Sequence, residues 1–186
     1  MKKVVKFGGS SLASAEQFRK VGSIIQADPE RRFVVPSAPG KRSRDDEKVT
    51  DMLYACYALA EEGSDFSEKL SAIRARYEEI IKGLSLKLSL EEEFQKIEEN
   101  FRNKAGKDYA ASRGEYLNGI VMAAYLKFPF IDAAEVIFFD EHGKFDDYKT
   151  DQVLSKRLEQ MDAAVIPGFY GSMPDGSVKT FSRGGS

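Results

Sequence analysis

The feature that most constrains the fold is a strand, a glycine turn, a helix and a second strand within the first 40 residues. Residues 4–7 (VVKF) predict a short strand, and the apolar positions of residues 15–27 recur with the spacing of a helix. A second apolar strand follows at residues 33–35 and enters the loop PSAPG. A strand–helix–strand unit of this length is typical of a right-handed βαβ crossover, in which the two strands are parallel. The unit therefore predicts a parallel sheet.

A long helical region follows the second strand. The segment 41–48 is charged and has no apolar residue, and it separates the strand from four stretches with helical apolar spacing. Asp108 is predicted to cap the fourth helix, and Pro129 is predicted to end it. The four stretches cover residues 49–60, 66–81, 94–101 and 108–124.

Strand signals return in the last third of the chain. Residues 135–139 and 163–166 predict two strands with a helix near residues 151–160 between them, and Pro174–Ser177 (PDGS) predicts a hairpin turn. We therefore expect an α/β fold: a mostly parallel sheet with helices on both faces, and a helical excursion over residues 49–101.

Composition excludes several classes of protein. The chain has 186 residues, enough for one domain, and 28 basic against 30 acidic residues give no electrostatic case for a nucleic-acid partner. No apolar run is long enough to cross a bilayer, so no membrane association is expected. Cys56 is the single cysteine, and glycine follows the first strand too early for a signal peptide, so a cytoplasmic location is expected.

The run KFGGSS at residues 6–11 is the first candidate for chemistry. Glycines between a strand and a helix let the backbone approach a ligand, and exposed N–H groups can cradle phosphate oxygens. The run is not a P-loop, in which the lysine follows the glycines, and no GxGxxG pattern occurs. Judged by spacing alone, a plain strand-to-helix turn with an exposed lysine remains an alternative.

This opening run resembles the N-terminal signature of aspartate kinases, within the wider amino acid kinase family. Three further segments agree with that family in order and spacing, and together they span nearly the whole chain. The resemblance implies an amino acid kinase-like three-layer sandwich, with residues 1–186 as the N-terminal amino-acid-binding part of its catalytic domain. The segments are VVPSAPG at 34–40, SRGE at 112–115, and PGFYG at 167–171 followed by SRGGS at 182–186.

The resemblance implies a role for each motif. Glu115 would pair with the substrate's α-ammonium, and Arg183 would grip a carboxylate with two parallel hydrogen bonds. Lys6 would be the catalytic residue that neutralises phosphoryl charge. Ser37 and Thr50 would line the substrate pocket, although segment 41–48 looks like an insertion between them. The expected phosphate- and nucleotide-binding residues are Lys6, Gly8, Gly9, Ser10, Gly184 and Gly185, and no metal ligand is expected.

The implied reaction transfers the γ-phosphoryl group of ATP to the β-carboxylate of L-aspartate, giving 4-phospho-L-aspartate. This is the entry step to lysine, threonine and methionine synthesis. Mg-ATP would be the cosubstrate, and the full-length form would be a homo-oligomer. Since the β-carboxylate is already ionised at neutral pH, no general base is required.

Two departures from the family shape the expectation for these 186 residues. The family's glycine loop continues with an aspartate, and its nucleotide-binding part and regulatory domains have no counterpart here. We therefore expect residues 1–186 to be a truncated part that is inactive alone. Two alternatives stay open: an amino acid kinase with another substrate such as glutamate, and a non-catalytic amino-acid-binding or assembly module.

Overall fold

The computed structural model describes residues 1–182, and its centre is a parallel sheet. Three strands lie in the order β1-β2-β3, and both pairings are parallel. Two further strands, β4 and β5, form an antiparallel hairpin. The strands are Lys3–Phe7 (β1), Arg31–Pro36 (β2), Ala164–Val165 (β3), Tyr170–Ser172 (β4) and Val178–Thr180 (β5).

Helices fill most of the chain between these strands. The first, α1, begins where the Ser14 side chain accepts a hydrogen bond from the Gln17 backbone N–H. A short 3-10 helix at Gly9–Leu12 precedes it. The helices are Ala15–Gln26 (α1), Val49–Glu61 (α2), Ser67–Gly83 (α3), Glu91–Arg102 (α4), Lys107–Leu126 (α5), Ala133–Val136 (α6) and Asp147–Glu159 (α7).

The sheet separates two apolar cores, because successive strand residues point to opposite faces. Val34 and Val165 point into a large core shared with α1 to α5. Phe33, Ala164 and Ile166 point into a smaller core shared with α6 and α7. This arrangement confirms the predicted α/β class, with helices on both faces of the sheet.

Most predicted elements are confirmed, since strong apolar periodicity marked them. The strand–helix–strand unit and the four central helices form within three residues of the predicted bounds, and the hairpin forms around the predicted turn. The fourth helix is followed by Pro129, as predicted, and the predicted strand at 163–166 is reduced to Ala164–Val165. None of the helices within residues 1–182 combines the length and apolarity needed to cross a membrane.

Two local predictions are wrong. Residues 135–139 do not form the predicted strand, because the Asp132 side chain accepts from the Ala134 backbone N–H and starts the single helical turn α6, which takes in residues 135 and 136. The end of this segment is extended in part, since Phe138 and Phe139 form isolated β-bridges with Ser172 and Phe145. Asp108 does not cap α5, which begins after Gly106. Its carboxylate instead accepts hydrogen bonds from Lys179 and Thr180 of the hairpin, so it joins α5 to β5.

Candidate functional site

An open cleft of about 430 Å³ lies where the carboxyl ends of β1 and β2 meet. In parallel α/β sheets this edge is the usual place for a ligand, because loops leave the strands there and backbone groups are unpaired. Strand β1 ends opposite β2, with Phe7 paired to Pro36. The cleft is lined by Gly9, Ser10, Ser37, Ala38, Pro39, Gly40, Lys41, Lys48, Thr50 and Glu115.

The glycine turn after β1 packs tightly against the loop after β2. The Gly40 N–H donates to the Gly9 carbonyl at 2.8 Å. A Cβ at Gly9 would lie 2.7 Å from the Ala38 carbonyl oxygen, and one at Gly40 would lie 2.6 Å from the Gly9 carbonyl carbon. Only glycine permits this backbone contact, which brings the two loops together as one floor of the cleft.

Glu115 reaches the cleft from α5 and is buried there. Its Oε1 accepts a hydrogen bond from the Ala38 N–H at 3.2 Å. Its Oε2 is also buried, yet it has no hydrogen-bond partner among the described residues. Buried acceptors are normally paired, so this oxygen is open to a donor on a ligand.

The surroundings of Glu115 change its acidity. Burial disfavours the charged form and raises the pKa of Glu115 to about 7, while the Ala38 N–H and the charge of Lys6 act in the opposite direction. The influence of Lys6 places this exposed β1 lysine within electrostatic reach of the carboxyl group. A cationic ligand group in the cleft would therefore favour the ionised carboxylate.

Asn118, one turn further along α5, holds the same part of the cleft floor. Its side-chain N–H donates to the Ser37 carbonyl at 2.7 Å. The Ser37 carbonyl and the Ala38 N–H belong to one peptide group, so Asn118 and Glu115 fasten opposite sides of that group. This fixes half-buried Ser37 at the edge of the cleft.

Thr50 lies opposite, in the first turn of α2. The Val49 N–H donates to the Pro39 carbonyl at 3.1 Å, which seats the start of α2 against the cleft floor. Gly114 allows α5 to approach this wall, because a Cβ there would lie 2.8 Å from the Ala38 Cβ and 3.7 Å from the Thr50 Oγ1. Ser37 and Thr50 thus line one cleft although segment 41–48 separates them in sequence.

The structure brings together many of the residues singled out in the sequence. Gly9, Ser10, Ser37, Thr50 and Glu115 all line the cleft. Gly8 precedes the 3-10 helix beside it without being part of the lining. The expectations for Arg183, Gly184 and Gly185 concern positions outside the described residues.

Sequence reasoning missed several residues that shape the cleft. Lys41 and Lys48 lie at its rim and add positive charge next to the single buried carboxyl group. Sequence reasoning also missed Asn118 and Arg76, which lies behind the cleft, because both occupy positions within the apolar faces of their helices. A polar side chain in the middle of an apolar stripe was the available signal for both.

The arrangement suits a small zwitterion. A buried carboxyl group with an open oxygen can pair with an ammonium group, whereas hydroxyls and lysines nearby can accommodate carboxylate or phosphoryl oxygens. The glycine turn after β1 lies at the same edge and contributes Gly9 and Ser10 to the lining. The cleft thus has the polarity needed to bind an amino acid next to an anionic group.

Comparison with known proteins gives a family match over the whole chain. The model of the amino acid kinase family matches residues 1–186. Aspartokinase 3 of Bacillus subtilis is 39% identical over 199 residues, an alignment that covers 99% of this chain and 44% of that protein.

Two solved structures have the same fold as this chain. The Clostridium acetobutylicum aspartate kinase has a TM-score of 0.96 and 51% identity, covering 100% of this chain and 43% of that one. Escherichia coli aspartokinase III, solved in complex with aspartate and ADP, has a TM-score of 0.80 and 25% identity, covering 100% of this chain and 44% of that one. The chain therefore spans less than half the length of these relatives.

Proposed function

We propose, from the premise that this chain belongs to the amino acid kinase family, that its cleft binds L-aspartate as part of an aspartate kinase. The enzyme would transfer the γ-phosphoryl group of ATP to the β-carboxylate and give 4-phospho-L-aspartate. The observation that carries the proposal is buried Glu115, which lines one cleft with Ser37 and Thr50 and has an oxygen without a hydrogen-bond partner. The similarity to an aspartokinase solved with aspartate and ADP supports the choice of ligand.

Each part of the substrate has a matching group. The α-ammonium would pair with Glu115, and the Ser37 and Thr50 hydroxyls would donate to carboxylate oxygens. Arg183 would grip a carboxylate with two parallel hydrogen bonds, which its planar guanidinium allows. The β-carboxylate would then point toward the glycine turn, where the phosphoryl group arrives.

Phosphoryl transfer depends mainly on alignment and on stabilisation of negative charge. Lys6 would supply the positive charge that stabilises the phosphoryl oxygens. Gly8, Gly9 and Ser10 would contact phosphate oxygens through their backbone. Gly184 and Gly185 would complete the phosphate site. Mg²⁺ would enter bound to ATP, as part of the substrate. Within residues 1–182 no group of three or more His, Cys, Asp or Glu side chains is placed to hold a metal ion.

The wider assignments follow the same proposal. Residues 1–186 would be the amino-acid-binding part of the catalytic domain, and further parts would bind the nucleotide. We expect this part alone to show no aspartate-dependent ATP turnover. The whole enzyme would act in the cytoplasm as a homo-oligomer and serve the synthesis of lysine, threonine and methionine.

The test is ATP turnover by the full-length gene product with L-aspartate, L-glutamate and succinate. We expect turnover with aspartate. Lys6→Ala should lower kcat more than it raises the KM for aspartate, with a loss of about 3 kcal/mol of transition-state stabilisation. Lys20→Ala is the control, because Lys20 lies exposed on α1 and pairs with Glu16 on the same helix.

Other outcomes would redirect the assignment. Turnover with glutamate alone would identify a different amino acid kinase. Ligand binding without turnover by the full-length protein would favour a binding module. A near-normal kcat for Lys6→Ala would remove Lys6 from the phosphate site.

A further inference from the structure

Two consecutive residues of α3, Arg76 and Tyr77, reach the two walls of the cleft from behind. Both are buried, and neither lines the cleft. Arg76 contacts the segment that carries the chain from Gly40 to Thr50, and Tyr77 contacts the backbone next to Glu115. The helical excursion therefore contacts both sides of the candidate site.

Arg76 fastens both ends of segment 41–48. Its Nη2 donates to the Gly40 carbonyl at 2.9 Å, and its Nη1 donates to the Glu47 carbonyl at 3.1 Å. The same Nη1 lies 3.1 Å from an oxygen of Asp46. One buried guanidinium thus joins the start and the end of the segment, and its planar fork suits three such acceptors.

A second arginine reinforces this connection from within the segment. The Arg42 guanidinium binds Asp46 through Nε at 2.9 Å and Nη2 at 3.1 Å, and its Nη1 lies 2.6 Å from Glu79 of α3. The two arginines hold the pKa of Asp46 well below its usual range. Asp46 stays ionised at any working pH and keeps the segment tied to α3.

Tyr77 supports the opposite wall. Its hydroxyl donates to the Gly114 carbonyl at 2.8 Å, immediately before Glu115. The ring is fully buried and packs against Phe94. This buried hydrogen bond therefore holds the α5 backbone in position next to Glu115, which presents its carboxyl group to the cleft.

We propose that Arg76 and Tyr77 are positioning residues for ligand binding: Arg76 sets the wall that carries Thr50, and Tyr77 sets the wall that carries Glu115. The proposal rests on the proposed function for the identity of the ligand. The fastening of segment 41–48 is independent of it and can be measured without ligand.

The first experiment compares amide hydrogen exchange in the unliganded full-length protein and in Arg76→Lys. Lysine keeps the charge, but its single ammonium nitrogen cannot reach the separated acceptors that the two Nη atoms of Arg76 bind, so amides 41–50 should exchange about tenfold faster or more. Arg74→Lys is the matched control, because Arg74 lies on the same helix but pairs with Glu91 at 2.9 Å, away from the segment. Unchanged exchange in Arg76→Lys would overturn the proposal whatever the ligand.

The second experiment measures binding and kinetics. Misplacing one wall should raise the Kd and KM of Arg76→Lys for aspartate about tenfold, while kcat and Tm change little. Tyr77→Phe should raise the Kd for aspartate about fivefold, the equivalent of one hydrogen bond. It should leave succinate binding unchanged, since succinate has no ammonium group to place against Glu115.

The control for Tyr77→Phe is Tyr148→Phe, at an exposed tyrosine of α7. If Arg76→Lys does not fold, Asp46→Asn tests the same fastening from the segment side and carries the same expectations. A folded variant in which amides 41–50 exchange faster but the affinity for aspartate is unchanged would contradict the positioning role. Failure of the wild-type protein to bind aspartate would instead contradict the proposed function and leave the exchange result to decide the fastening.

Discussion

Helix α5 buries two charged side chains two residues apart, and the groups that surround the two charges differ. Glu115 faces the cleft with one hydrogen bond at 3.2 Å and one oxygen without a partner. Arg113 faces the hairpin side, where the rings of Tyr109, Tyr116 and Tyr170 surround its guanidinium at 4.7, 4.3 and 5.4 Å. Both residues are about equally buried, at 7% exposure.

The difference lies in how completely the surroundings of each buried charge compensate it. The aromatic rings compensate the burial of Arg113 with cation–π interactions, so it needs nothing further. Glu115 is left incompletely compensated, and it therefore costs stability while its site is empty. Burial by itself does not single out a candidate site residue; Glu115 is a candidate because it also lines a cleft and has an oxygen without a hydrogen-bond partner.

The largest expected effect is the loss of aspartate affinity in Glu115→Gln. Glutamine keeps the shape but removes the charge that pairs with the ammonium, a loss of about 3–5 kcal/mol for a buried pair. The KM for aspartate should rise by more than kcat falls, and discrimination against succinate should shrink by a similar factor. Steady-state kinetics of the full-length protein at pH 8, where Glu115 is ionised, will measure both.

Glu99→Gln on α4 is the control for that substitution, because the Glu99 side chain is exposed. It should change neither KM nor discrimination. An unchanged KM for aspartate in Glu115→Gln would remove Glu115 from the site and erase the contrast with Arg113.

The next effect is on stability and depends on pH. The pKa of Glu115 rises from 4.5 to about 7 on folding, so between these values the folded state holds a proton that the unfolded state has lost. The free energy of unfolding contributed by this group must then fall as pH rises from about 4.5 to about 7. The total decrease is about 3 kcal/mol, at 1.36 kcal/mol per pKa unit.

Glu115→Gln removes this titration, so the variant should exceed the stability of the wild type by about 1 kcal/mol at pH 5 and by about 3 kcal/mol at pH 8. Urea unfolding of both proteins without ligand at the two pH values measures the difference, and all other titrating groups cancel. A difference independent of pH would show that Glu115 is not held protonated by its surroundings.

The third effect tests the other side of the comparison. Arg113→Met keeps an unbranched apolar chain in place of the arginine stem and removes the guanidinium with its three ring contacts, which should cost about 2 kcal/mol of stability. This cost should be the same at pH 5 and pH 8, and discrimination between aspartate and succinate should not change. Arg102→Met is the control, since Arg102 is exposed and contacts the single ring of Phe66. Loss of discrimination in Arg113→Met would mean that both faces of α5 serve the ligand.

Sequence reasoning was most successful where local signals agreed with each other. The glycine turn, the helical stripes and the PDGS hairpin each combined a periodic pattern with a turn residue, and all three formed. The strand predicted over residues 135–139 is reduced to isolated β-bridges at Phe138 and Phe139, because the Asp132 cap and Ala133 favoured a helical turn that takes in the first two residues.

The residues of the candidate site likewise fall into those that a sequence motif marked and those that no local pattern marked. Ser37, Thr50 and Glu115 carried motif signals, and the structure places them in one cleft. Arg76 and Asn118 did not, because their roles depend on long-range contacts with Gly40 and Ser37 that no local pattern encodes. Both interrupt apolar stripes, a signal that marks a buried polar residue without naming its partner.

The smallest expected effect compares two glycines of α5 that both pack closely. An alanine Cβ at Gly114 would lie 2.8 Å from the Ala38 Cβ at the cleft, whereas one at Gly119 would lie 2.8 Å from Phe130 and Pro167, away from the cleft. Alanine improves helix propensity by about 1 kcal/mol, but relief of the close packing at each site costs about 2 kcal/mol. Each variant should therefore lose about 1 kcal/mol of stability.

Only Gly114→Ala should also weaken aspartate binding, because it displaces the wall that carries Glu115 and Ala38. Urea unfolding and isothermal titration with aspartate will compare the pair, and equal losses of affinity in both would show that α5 acts as one rigid unit without a distinct ligand-facing side.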